Sequence, residues 1–249
     1  MCIRDRSMNK IQDQTKYMDK EIGFIFSNND KTISFNTEKK IDKIITEETS
    51  TEAIISNVVS RYKKIDDNTS IIDGFIYQKI IETNDKKLID KLKNHLPKGV
   101  INLEKYIEIN YQPLQELLIT KNFQEADKLT QKYLCEIVEK QTNKKKQWLY
   151  FTDISFIPAN ELFIIDLLWK TYSKGKFGFS VQKDIWIKYN NKWDKLWEKI
   201  KWSEIATGTM KRYPQEFIWT IDAPEGHLPL FNQLRGTQTL SYLFKKINW

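Results

Sequence analysis

The sequence predicts an all-α protein, and three observations carry that prediction. Apolar residues recur at three- and four-residue spacing in one segment after another. Cap and breaker residues punctuate those segments where helices should start and stop. Strand-like alternation is confined to residues 217–221, too little for a sheet.

Residues 1–7, MCIRDRS, fit no helix, strand or signal-peptide pattern and resemble translated sequencing-adapter sequence. They are read as non-native. Residues 8–43 are polar and weakly patterned, which predicts a flexible tail over 1–44. Thr49, Ser50, Thr51 and Glu52 then form a capping-box signature. Ile54, Ile55, Val58, Val59 and Tyr62 follow on one helical face. A second helix is expected through Ile71, Ile72, Phe75, Ile76 and Ile80. A third runs from Asn84 through Leu88, Ile89, Leu92 and Leu96, and stops at Pro97-Lys98-Gly99. Residues 45–103 are therefore expected to be a small helical bundle.

After a linker at 100–110, Leu114, Leu117 and Leu118 predict a short helix. A turn leads into a longer one, with Ala126, Leu129, Tyr133, Leu134 and Ile137 inside. This pair could be half of a tetratricopeptide array, but no second copy follows at that period. Helices are expected at 160–172 and 181–190, joined by a loop at 173–180 and followed by a Trp-rich segment at 192–202. All eight tryptophans fall after residue 147, so 108–249 forms a second, differently built part.

The chain of 249 residues has a net charge of +7 and a mean hydropathy of −0.57. No run approaches the roughly 18 apolar residues that a membrane-spanning helix needs. Arginine occurs only at positions 4, 6, 61, 212 and 235, and the remaining positive charge is lysine interleaved with acids. That usage, with abundant Ile and Asn, is the mark of an AT-rich genome. It supplies neither the continuous cationic groove nor the ribonucleoprotein-type motif that a nucleic-acid binder needs. With residues 1–7 set aside, Cys135 is the single thiol, so no disulfide or thiolate metal cluster is provided for. Glycine-rich phosphate loops, paired carboxylates and nucleophile elbows are absent, and nothing in the residues argues for a catalyst.

Two stretches carry functional chemistry. The first is IDLLWKTYSKGKFGFSVQKDIW, residues 165–186, whose interhelical connection is far more apolar than loops usually are. Phe177 and Phe179 are either a plug between helices or part of a pocket wall. Composition alone favours the plug. Together with Trp186, Trp193, Trp197 and Trp202 they could offer faces to a planar ligand. The second is IDAPEGHLP, residues 221–229, a rigid loop punctuated by Pro224, Gly226 and Pro229. Its His227 could be a metal ligand, a general base or a hydrogen-bonding pin, and the pin is favoured. Lys201, Lys211, Arg212 and Arg235 lie in or near the same part. The two guanidinium groups are best suited to a carboxylate-bearing ligand.

Those two stretches, in this order, resemble the genomes-uncoupled-four family, the tetrapyrrole-binding regulators of magnesium chelatase. YQPLQELLITKNFQEADKLT, residues 111–130, resembles the start of that family's core. DGFIYQKIIETNDKKLIDKLKNHLPKGVINL, residues 73–103, resembles the end of the bundle preceding it in cyanobacterial and algal members. The resemblance covers about 45–249. It implies a cupped-hand helical core that holds porphyrin on a greasy concave face. The implied ligands are protoporphyrin IX and magnesium protoporphyrin IX, with no cofactor acting as a catalyst. The implied partner is the large porphyrin-binding subunit of magnesium chelatase, which the protein would stimulate without being an enzyme. The implied location is the plastid stroma, with peripheral contact to thylakoid or envelope membranes. The codon signature and the lack of a transit peptide fit a plastid-encoded copy in a red-algal-type lineage.

On this resemblance, Phe177, Phe179, Val181, Ile185, Trp197, Trp202 and Trp219 would hold the macrocycle. Lys201, Arg212 and Arg235 would meet its propionates. His227, with Pro224 and Gly226, would pin the loop, and a bridging water or His227 would recognise the magnesium form. One departure is marked: the family's Phe-Gly-x-x-Val-Gly-Trp is LWEKIKW here, residues 196–202. Trp197 and Lys201 stand where the glycines would, and Trp202 is kept. The rival reading is a non-catalytic docking scaffold whose exposed aromatics meet a membrane or a protein.

Overall fold

The computed structural model describes residues 18, 20–27, 31–63, 71–104, 106, 108–204, 208–231 and 237–249. Among them, regular structure is helical throughout, apart from one isolated antiparallel bridge between Ser203 and Met210. The all-α expectation holds. The chain divides into two compact units between Ile101 and Asn102.

The first unit contains α1 (20–27), α2 (Phe35–Ile45), α3 (Glu48–Lys63), α4 (Ile71–Glu82) and α5 (Lys86–His95). The stretch expected to be a flexible tail is thus helical over 20–27 and from residue 35 onward. Ser34 caps α2 by accepting the Thr37 N–H, satisfying one of the donors a helix start leaves open. Ile22 and Ile25 in α1, and Ile41 and Ile44 in α2, are buried. Such brief stripes give little periodicity to read. Tertiary partners decide instead: Lys79 of α4 reaches Glu38 and Asp42 of α2 at 3.3 and 2.8 Å.

The start of α3 also differs from expectation. The helix already runs at Glu48, so the capping-box residues lie within its first turns. The hydroxyl that matters is that of Thr51, which is buried and lies 3.2, 3.0 and 2.9 Å from the carbonyl oxygens of Ile44, Ile45 and Glu47. It ties the α2–α3 corner. α4 is buried nearly all round, at Ile72, Phe75, Ile76, Tyr77 and Ile80, as the central helix of a bundle must be. Its buried Asp73 is met by Arg61 Nε at 3.1 Å. Asp85 caps α5, which ends before Pro97.

The second unit contains α6 (Gln112–Ile119), α7 (Phe123–Thr142), a 3-10 turn (Asp153–Phe156), α8 (Ala159–Thr171), α9 (Phe179–Lys188), α10 (Trp193–Lys199) and α11 (Thr237–Lys246). α7 closes on Asn143 in the left-handed conformation, φ +56°. α8 is the central element: Leu162, Ile164, Ile165, Leu168 and Trp169 are all buried. Polar pairs fix its neighbours. Trp169 Nε1 donates to Thr130 Oγ1 at 3.0 Å, Tyr172 OH donates to Gln115 Oε1 at 2.8 Å, and Tyr111 OH donates to the buried carboxylate of Glu161. Cys135 is half-buried on α7, and burial pushes its thiol up to about 11.

The alternation at 217–221 builds no strand. The Ile218 N–H donates to His227 Nε2 at 3.0 Å, so that donor goes to a side chain and not to a ladder. Among the described residues, no helix is long and apolar enough to cross a membrane.

The bond from Tyr111 to Glu161 gives a test of this packing. Tyr111→Phe keeps the ring but leaves a buried carboxylate short of a donor. It is expected to cost about 1–3 kcal/mol in urea unfolding of the full chain, with helix content by circular dichroism unchanged.

Candidate functional site

The apolar connection between α8 and α9 is a clamp before it is anything else. Ser173 Oγ accepts the Phe177 N–H at 2.9 Å, which closes the turn. Gly178 N–H donates to Leu228 O at 3.0 Å, and Gly226 N–H donates to Lys176 O at 2.8 Å, joining 176–178 to 226–228. Lys176 Nζ donates to Ile221 O at 2.6 Å. Gln182 Nε2 donates to Gly226 O and Pro229 O at 3.0 and 2.8 Å. Both glycines are required. At Gly178, φ is +139° and a Cβ would lie 2.7 Å from Asp166 Oδ1; at Gly226, φ is +75° and a Cβ would lie 2.7 Å from Ile185 Cδ1 and 2.9 Å from Ile200 Cγ2.

Phe177 and Phe179 are fully buried by this arrangement. Phe177 packs edge-on against Phe123 with ring centroids 5.3 Å apart, and Phe179 meets Phe231 at 5.8 Å. The plug reading fits both rings, neither of which has exposed surface. They are apolar because the clamp draws them under α8, not because they line an open wall. Phe177→Ala would remove core, at about 3–5 kcal/mol, and would not report on a ligand.

His227 is the pin that the sequence favoured. Its Nδ1 lies 2.5 Å from Ile200 O and its Nε2 accepts the Ile218 N–H at 3.0 Å. Those two bonds assign one tautomer, neutral, with the proton on Nδ1. Burial lowers its pKa to about 4, against a smaller upward pull from the Ile200 carbonyl. A ring with both nitrogens engaged has neither a free base nor a free ligand to offer. Pro224 is half-buried and Gly226 buried in the same loop.

Trp202 Nε1 donates to His227 O at 2.8 Å, which ties a long aromatic run to this loop. Trp186 meets Trp193 at 4.8 Å, Trp193 meets Trp197 at 5.4 Å, and Trp197 meets Trp202 at 5.3 Å with planes only 7° apart. The run continues through Phe217, 6.5 Å from Trp202, to Trp219 and Tyr213 at successive separations of 6.3 and 5.9 Å. Phe244 joins the other end, 5.6 Å from Trp186. Trp202 is fully buried. Trp197 is half-exposed, but it is stacked between Trp193 and Trp202, so it has an edge and not a face to give a flat ligand.

The remaining predicted residues lie at the margin of this run. Val181 is buried, while Ile185 and Trp219 are half-exposed. Trp219 Nε1 is held by Pro214 O at 2.9 Å. Lys201 and Arg212 are exposed, and Lys201 and Lys211 both press on His227 electrostatically. Lys201 has φ +56°, the left-handed conformation of a glycine, at the position where the resembled motif carries one. Arg235 lies outside the described residues.

Two contributors were not singled out from sequence. Asp127 is buried, its Oδ1 accepts the Leu230 N–H at 2.6 Å, and burial pushes its carboxyl up to about 8. It anchors the end of the 221–230 loop to α7. The available signal was an acid on the apolar stripe shared by Phe123, Ala126 and Thr130. Tyr213, the other, packs edge-on against Trp219 at 5.9 Å, and burial, then the charges of Asp127 and Glu125, push its hydroxyl up to about 12. No group of three or more potential metal ligands occurs among the described residues. A groove of about 390 Å³ lies in the first unit, lined by Ile55, Val59, Lys63, Lys91 and His95 among others, and none of the predicted site residues lines it.

Comparison with known proteins gives a consistent relation. Residues 104–247 match the family model described as GUN4-like. The protein named "Uncharacterized protein ycf53" of Pyropia yezoensis is 44% identical over 183 residues, spanning 73% of this chain and 75% of its own length. The protein named "Tetrapyrrole-binding protein, chloroplastic" of Arabidopsis thaliana is 34% identical over 52% of this chain and 51% of that one. The solved structure of GUN4 from Chlamydomonas reinhardtii aligns with a TM-score of 0.50 at 34% identity, covering 58% of this chain and 92% of that chain.

The His227 pin generates a pH prediction. Its pKa is about 4 when folded and near 6.5 when unfolded, so the unfolded chain binds more protons between those values. Its contribution to stability is complete above about pH 6.5 and is lost as pH falls toward 4. Denaturant midpoints measured across that window should fall for the parent, and should fall distinctly less for His227→Ala, which should already be weaker at neutral pH.

Proposed function

The chain belongs to the GUN4-like family, and from that premise we propose that it binds protoporphyrin IX and magnesium protoporphyrin IX. It then stimulates magnesium chelatase through that enzyme's large porphyrin-binding subunit, as a regulator and not as a catalyst. It works in the plastid stroma with peripheral contact to membranes. The observation that carries the reading is the family match along the second unit, together with a relative named for tetrapyrrole binding and for the chloroplast.

Exposure supports a narrower set of residues for touching the ligand than the sequence proposed. Phe177, Phe179 and Trp202 support the site from within, since none has surface to give. The macrocycle would rest against the half-exposed Ile185 and Trp219, the edge of Trp197, and Tyr213. These belong to one neighbourhood: Gly226 abuts Ile185 and Ile200, His227 meets Ile200 and Phe217, and Phe217 leads to Trp219 and Tyr213. Lys201 and Arg212, both exposed at its margin, would take the propionates, with Arg212 able to pair bidentately. With His227 fully engaged, a water bridging to polar backbone is the better candidate for recognising the magnesium form.

The test is a titration of the full chain with each porphyrin, followed by tryptophan quenching. Saturable quenching is expected from both. The Lys201→Ala, Arg212→Ala double variant should weaken binding about tenfold, two exposed charge-assisted contacts being worth roughly 1–2 kcal/mol together. The same variant should bind the propionate dimethyl ester as the parent does. Absence of saturable quenching by either porphyrin would overturn the reading. Chelatase stimulation is then measured with the purified subunits, where the parent should raise the rate at limiting porphyrin and the double variant should raise it less.

A further inference from the structure

We propose that the first unit holds a small-molecule site of its own, a groove between α3 and α5 that takes a single-chain anionic amphiphile, a carboxylate or sulfonate on an apolar tail. The groove has a volume of about 390 Å³, within the roughly 300–1,000 Å³ typical of small-ligand pockets. Ile55, Ser56, Val59, Ser60 and Lys63 line it from α3, and Lys91 and His95 from α5. Helical spacing explains the α3 wall. Positions 55, 59 and 63, and positions 56 and 60, are two adjacent i, i+4 rows, running about 12 Å at 1.5 Å per residue. The site rests on none of the tetrapyrrole reading, whose residues all belong to the second unit.

The lining is apolar at its base and polar at its edge. Val59 keeps 8% of its surface exposed, while Ile55 is sealed. Lysine stems cover apolar surface while their ammonium groups stay in water, so Lys63 and Lys91 add to the apolar wall. Two of the polar groups are already engaged. The Ser56 hydroxyl donates to Glu52 O at 2.9 Å, and Lys91 pairs with Glu52 at 2.6 Å in an exposed ion pair of the kind that is worth little. The side chains of Ser60, Lys63 and His95 have no hydrogen-bond or ion-pair partner among the described residues.

Size, charge and polarity select the occupant together. Seven residues line the groove, whereas a standard protein interface takes about 20–30 on each side, so the fit is to a small molecule. Lys63, Lys91 and His95 are basic and no lining residue is acidic, so the ligand is an anion. The apolar base asks for a tail, which inorganic anions lack. A cation in the last turn of a helix is favoured by the helix dipole, and that accounts for Lys63 and His95 one at a time, as the last residues of α3 and α5. It does not account for both helix ends flanking one groove that small serines keep open.

The experiment is a titration of the full chain, its valine methyl groups isotopically labelled, with decanoate, hexanoate, decylamine and inorganic phosphate in turn. The Val59 methyl signals, identified by their loss in Val59→Ile, are expected to shift saturably with decanoate. Hexanoate should bind more than about tenfold more weakly, because each methylene removed from water counts. Decylamine and phosphate should leave the signals in place. Lys63→Ala with His95→Ala should weaken decanoate binding about fivefold. Ser60→Trp, at an exposed position, should abolish it by filling the groove. Both variants should keep the parent's circular dichroism, which separates a lost site from lost folding. The proposal is overturned if decanoate gives no saturable shift, if decylamine or phosphate moves the same signals as strongly, or if Ser60→Trp binds decanoate as the parent does.

Discussion

Two backbone hydrogen bonds, from Gly178 to Leu228 and from Gly226 to Lys176, hold the second unit's loops in place. Each contributes little net free energy, yet a buried donor left unmade would cost about 1–3 kcal/mol. They set the two glycines against Asp166, Ile185 and Ile200, so close that no side chain could stand at either position without something giving way. Gln182 reinforces the clamp from α9, and Asp127 extends it to α7 through Leu230. A loop fixed at so many backbone atoms behaves as part of the core.

The aromatic run follows from that fixation. His227 can engage both Ile200 and Ile218 only because the 221–229 loop is held, and its carbonyl then orients Trp202. With Trp202 set, Trp197 stacks on it nearly parallel and Trp193 stacks on Trp197. Each ring in the middle covers its neighbour's face. Stacking of this kind adds about 0.5–1.5 kcal/mol per pair beyond burial, so the tryptophans stabilise the unit. The rings that keep exposure lie at the margin, at Trp219 and Tyr213, with the exposed Lys201 and Arg212 in the same segment.

The replacement of both motif glycines falls into place on the same framework. Trp197 fills the gap between Trp193 and Trp202 on a helix that a glycine would have weakened. Lys201 keeps the left-handed backbone at a cost of roughly 1–2 kcal/mol, which the surrounding bonds of Ile200 and Trp202 must offset. A cationic side chain is thereby presented at the edge of the aromatic run.

Helix placement was largely legible in the sequence. The stripes of α4, α7 and α8, and the stop at Pro97, follow from periodicity and capping, which act over neighbouring residues. α1 and α2 were not legible, because so few isoleucines mark each and the ion pairs of Lys79 that hold α2 come from a distant helix. For the candidate site, the sequence singled out the 176–179 connection, the 221–229 loop and a pin at His227, whose two ring nitrogens are both engaged. It could not tell inside from outside. Phe177 and Trp219 are equally apolar on paper, but one is sealed beneath α8 and the other stands half in solvent. That difference is made by hydrogen bonds between segments some fifty residues apart, such as Gly178 to Leu228. The sequence determined which side chains could bury or bind, since local chemistry carries that information. Only the tertiary structure decided which are buried, because burial is a property of contacts that one-dimensional spacing does not contain.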